Sequence, residues 1–109
     1  MIFRRSRRFD DLVGTQLDLF AEDEADLLAE AKSAEAAWTR AGRDEAEELY
    51  GDYQLEVDAI ADRLLDVRET YASTLADDAA DEYRATFTRR ATKRFRRYAS
   101  LLADVDDTT

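Results

Sequence analysis

Apolar residues recur at Val13, Leu17, Phe20, Leu27, Ala31, Ala34 and Trp38, with Glu24 standing where the spacing demands one more. A second series runs Ala46, Tyr50, Tyr53, Val57, Ile60, Leu64, Val67 and Tyr71. Both alternate steps of four and three, the seam period of helices that wrap one another. The chain has no proline and only three glycines, so long helices meet few breakers. Gly42 can close a helix and Asp44 can cap the next, and the stretch Ser73 to Asp78 supplies several further N-caps. The pattern predicts helices near 10–40, 44–74 and 77–104, each about 40–47 Å long at 1.5 Å per residue.

The fold expected is all-α, an up-down-up antiparallel three-helix bundle with coiled-coil-like seams. Folding the first two helices antiparallel, with paired numbers summing to 84, sets Val13 against Tyr71, Phe20 against Leu64 and Trp38 against Ala46. Large side chains near the loop then face alanines, the volume matching that close packing needs. The third helix runs parallel to the first at an offset of 67, with the seam Ala80, Arg84, Phe87, Ala91, Arg94, Tyr98, Leu101 and Val105. Arg84 and Arg94 fit this seam poorly, and the neighbouring Tyr83 and Phe95 can rotate inward in their place. Glu24 is the acid on the first seam, and its expected partner is a third-helix arginine, Arg94 or Arg90. A buried pair of that kind specifies register more than it stabilises.

The 109 residues make one domain. It spans 10–105, after a basic arm at 1–9 and before an acidic tail at 106–109. Formal net charge is −10, with 26 acids against 16 bases, which argues against general nucleic-acid binding. The charge is uneven, because six bases fall within Arg89-Arg90-Ala91-Thr92-Lys93-Arg94-Phe95-Arg96-Arg97. This run and the N-terminal Arg4, Arg5, Arg7 and Arg8 are the candidate sites for an anion or an acidic partner. The run can instead neutralise the acidic faces of the first two helices. No apolar stretch approaches the roughly 20 residues of a membrane helix, and the basic N-terminus leads into Asp10-Asp11 rather than an apolar core, so a cytoplasmic location is expected.

Cysteine and histidine are absent, which removes thiol nucleophiles, zinc and iron–sulfur sites, and every histidine-based relay. No catalytic, metal-binding or cofactor-binding residue is assigned. Carboxylate-only Mg²⁺ sites stay open, since hard cations accept them. The strings Glu22-Asp23-x-x-Asp26 and Glu45-x-x-Glu48 are similar to the Glu-Glu-x-x-Glu and Glu-x-x-Asp pattern of the all-α nucleotide pyrophosphohydrolases of the MazG type, from which both depart. That resemblance implies Mg²⁺-dependent hydrolysis of a nucleotide. Trp38 and Gly42 beside the first loop resemble the turn of the small secreted helical hairpins with a Trp-x-Gly motif, at a wider spacing and with a third helix added. The function expected is a non-enzymatic helical interaction or structural module that self-associates or meets a protein partner. Leu12, Leu19, Leu28, Leu49 and Leu65 lie off the seams as candidates for a dimer face. The alternatives are the Mg²⁺-dependent hydrolase and an anion- or membrane-surface binder acting through the N-terminal arginines.

Overall fold

A computed structural model describes residues 7–100 and 102. Among these the regular secondary structure is entirely helical: α1 (Asp10–Asp23), α2 (Ala25–Arg40), α3 (Arg43–Ala72) and α4 (Asp77–Arg94), with Ser100 and Leu102 helical again beyond the break after α4. The expected three helices are therefore four. The single helix expected near 10–40 is interrupted at Glu24, whose φ and ψ are −106° and 25°. The interruption is one residue deep. Glu24 N–H still donates to Phe20 O, and Leu28 N–H to Glu24 O, both at 2.9 Å. Glu24 is the seam position without an apolar side chain. It also sits in the run Glu22-Asp23-Glu24-Ala25-Asp26, where like charges a turn apart repel. Both effects loosen the helix there.

The other boundaries follow local chemistry. α3 begins one residue earlier than expected, with Glu45 N–H and Ala46 N–H donating to Gly42 O at 3.1 and 3.0 Å. Asp44 lies in its first turn, where a carboxylate suits the positive end of the helix dipole. After Ala72, the hydroxyls of Ser73 and Thr74 donate back to Thr70 O and Tyr71 O at 2.8 and 2.7 Å and close the helix. α4 carries Asp77 and Asp78 at its start and Lys93 and Arg94 at its end, again matched to the dipole. It stops at Arg94, well short of the expected 104, because Phe95 leaves helical geometry at φ −118° and ψ 53°. Phe95 is buried edge-on against Phe20, with centroids 5.5 Å apart. Arg4 and Arg5 of the arm, Leu101 and Val105 of the third seam, and the tail 106–109 lie outside the described residues.

α4 packs parallel to α1 and antiparallel to α3. The register with α1 differs from the expected offset of 67. Arg8 meets Glu82, Phe9 meets Tyr83, Phe20 meets Phe95 and Asp18 meets Arg94, pairs 74 to 76 places apart, while the hydroxyl of the long Tyr83 side chain still reaches Gln16 at 67. The slip is close to one heptad. A heptad slip returns each seam position to the same face, so the period is preserved while the partners change. The two misfits are removed separately, by a turn of α4 about its axis that brings Tyr83 and Phe95 inward in their place. The inward face of α4 is Ala80, Tyr83, Phe87 and Ala91, continued by Phe95, while Arg84 and Arg94 turn outward. With Val13, Leu17, Phe20, Ile60 and Leu64 these residues form the core.

The α2–α3 hairpin is antiparallel as expected. Trp38 stacks on Tyr53 at 5.8 Å with rings 9° from parallel, and lies 4.9 Å from Tyr50. These partners are one and two turns along α3 from Ala46, the expected one. Side chains in a helix lean toward its N-terminus, so antiparallel neighbours meet above the level of their Cα atoms. No residue from 32 to 52 is fully buried, whereas the half of the bundle that includes α4 holds the core. The molecule measures 55 × 28 × 26 Å, and no described helix is long and apolar enough to cross a membrane.

Gly51 lies inside α3, is exposed, has no positive φ, and has open space where a Cβ would stand. Gly51→Ala is expected to raise unfolding stability by about 1 kcal/mol through helix propensity alone, read from urea denaturation.

Candidate functional site

The basic run becomes a surface through helix periodicity. Arg89, Arg90, Lys93 and Arg94 share the side of α4 that borders the N-terminal half of α1, because positions four apart are neighbours. The described end of the basic arm brings Arg7 to the same place. Together with Asp10 they line a groove of about 660 Å³, and Gly14 and Leu17 of α1 supply its apolar wall. Asp10 Oδ1 accepts Arg89 Nη2 at 3.2 Å and lies 3.8 Å from Arg90 Nη1. A Cβ added at Gly14 would stand 3.5 Å from Arg90 Nη2, an ordinary contact, so the glycine leaves room in the groove without being sterically required.

The other expected site residues are spread elsewhere. Arg8 faces Glu82 at 3.7 Å, with its guanidinium 5.1 Å from the centroid of the Phe9 ring. Arg97 pairs with Glu35, and Arg96 is exposed on the turn after α4. The expected Glu24–Arg94 pair does not form. Glu24 accepts Arg63 Nη1 from α3 at 3.1 and 3.2 Å, and Arg94 donates to Asp18. The heptad slip is the cause, since it carries Arg94 about two turns down α1, below the level of Glu24.

Sequence reasoning missed the polar groups that hold α4 in place. Arg68 is 3% exposed. Its Nε donates to Glu69 Oε2 at 2.8 Å and its Nη1 to Thr88 Oγ1 at 2.7 Å. Arg84 grips the same Glu69 carboxylate through Nε at 3.0–3.1 Å and Nη2 at 3.0 Å. The hydrogen bonds from Arg84, then those from Arg68, hold the Glu69 carboxyl below its usual range despite burial acting the other way. Tyr83 donates its hydroxyl to Gln16 Oε1 at 2.8 Å, and burial pushes its phenol up to about 12. A signal for Arg68 was available. It completes the run Ala61, Leu64, Arg68, Ala72, all buried at steps of three and four.

The acid strings give no support to a metal centre. Among the described residues no group of three or more acids is placed to hold a metal ion. Glu30 and Glu56 meet across α2 and α3, where burial, then the Glu30 charge and hydrogen bond, raise the Glu56 carboxyl. No family model, no curated protein and no solved structure matches this chain.

Two opposite pH effects follow. The Glu69 contribution is present above the unfolded carboxyl value of 4.5 and is lost as pH falls through its lower folded value. The Tyr83 contribution is present below 10 and is lost as pH rises toward about 12. Thermal melts across pH are expected to show both declines. Glu69→Gln should flatten the acid limb and leave the alkaline one, whereas Tyr83→Phe should flatten the alkaline limb alone.

Proposed function

We propose that this chain is a non-enzymatic helical interaction module that holds an anionic group of its partner in the groove of Arg7, Arg89, Arg90, Lys93 and Arg94. The observation that carries the reading is charge convergence. Five cations against one lining carboxylate meet in a single groove of a chain whose formal net charge is −10. A positive cleft with low-dielectric walls focuses its field outward and draws anions from solution. The acidic surface around it repels long polyanions, so general nucleic-acid binding is not part of the proposal. The lining supplies charge and an apolar wall but no hydroxyl, thiol or imidazole, which suits holding an anion better than transforming it. A cytoplasmic location remains the working expectation.

The test is anion-dependent thermal stability at fixed ionic strength. A ligand that binds only the folded state raises the melting temperature as it saturates its site. Saturable stabilisation by at least one multivalent anion is expected, and Arg90→Gln/Lys93→Gln should abolish it. A flat response to every anion would refute the reading.

Self-association is a second reading, favoured by Leu19 and Leu55, which are 52% and 68% exposed. Light scattering should then show mass rising with concentration, and Leu55→Glu should hold the protein at its monomer mass of 12.5 kDa.

A further inference from the structure

We propose that the groove's ligand is a small organic phosphate carrying at least two negative charges, with its phosphate on Arg7, Arg90 and Lys93 and its organic body against Gly14 and Leu17. The inference rests on the anion-binding reading above and names the ligand class for the same groove.

The division of cations within the groove supports this. Arg89 and Arg90 share the single carboxylate of Asp10, and Arg94 has Asp18. Arg7 and Lys93 line the groove with no ion-pair partner among the described residues. A ligand must therefore add to two carboxylates already in place. A monocarboxylate brings one further charge and the same acceptors those acids already provide. A phosphate ester brings a charge of about −1.5 to −2 at neutral pH and three strong acceptor oxygens. That suits one group spanning an ammonium and two guanidiniums. An arginine has five donors in a fixed fork, so Arg90 can keep Asp10 on one edge and take a phosphate oxygen on another.

Size and surroundings narrow the class further. The groove's volume of about 660 Å³ falls inside the range of about 300–1,000 Å³ typical of small-molecule pockets. A phosphate alone would leave most of it empty, and the remaining lining is uncharged: the open backbone at Gly14 and the edge of Leu17, which is 2% exposed. Exposed Asp11 and Asp18 on α1 flank the cations, so an extended polyanion would run onto like charge at once. A compact ligand with its charge at one end and an uncharged body at the other meets both conditions.

Calorimetry at fixed ionic strength, with inorganic pyrophosphate, ADP and citrate as probes, decides the matter. ADP and pyrophosphate are expected to bind with unit stoichiometry, ADP more tightly, and citrate about tenfold more weakly or worse. Arg7→Gln and Lys93→Gln should each weaken both phosphates about tenfold. Gly14→Leu should weaken ADP more than pyrophosphate, because it fills the space for the organic body. Arg97→Gln, whose guanidinium pairs with Glu35 outside the groove, should change nothing, and melting curves would confirm that each variant is folded. Equal binding of citrate and the phosphates would overturn this ligand class and leave the anion-binding reading standing. Silence from all three probes would overturn both. Full phosphate affinity in the Arg7→Gln/Lys93→Gln double variant would overturn the site.

Discussion

The register of α4 against α1 is the constraint on which the rest depends. Tyr83 and Phe87 are fully buried, and Tyr83 is tied to Gln16 of α1 and packs edge-on against Phe9. Slide α4 by a heptad along α1 and the apolar face still finds an apolar face. The polar fastenings, however, would then lose their partners. Arg68 would lose Thr88, and Glu69 would lose Arg84. Apolar periodicity selects the face, and these hydrogen bonds select the position along it. Losing the Thr88 hydroxyl takes one acceptor from the buried Arg68, which keeps Glu69, and a hydrogen bond to a charged group contributes about 1.5–3 kcal/mol.

That division explains what could be read from the sequence. The all-helical class, the loops near Gly42 and Ser73, the antiparallel α2–α3 hairpin and the seam residues Val13, Leu17, Ile60 and Leu64 all follow from spacing, and the structure places them accordingly. Spacing also named Tyr83 and Phe95 as the alternatives to Arg84 and Arg94. It could not separate two registers related by a heptad, and so misplaced the partner of Glu24. The break at Glu24 was visible as the one seam acid, but an ion pair across the bundle and a locally loosened helix predict the same letter there.

The groove was legible in part. The cations of the third helix and the arm were evident as charge, yet their convergence depends on the register and on Gly14 and Leu17 facing α4. Those determinants are tertiary. The same register sends Arg8 and Arg97 to Glu82 and Glu35, so neighbours in sequence divide between a shared groove and separate ion pairs. In a chain this acidic, local geometry decides where positive potential survives.

The aromatic tip of the α2–α3 hairpin has a dynamic consequence. Past Ala31 and before Tyr53 the two helices run on without a buried residue, held by Trp38, Tyr50 and Tyr53. Free energies of opening scale with buried apolar contact, so this end frays well before the chain melts as a whole. The protein is thus graded in rigidity along its length: amide protons near Gly42 exchange early, while those around Ile60 and Phe87 wait for global unfolding.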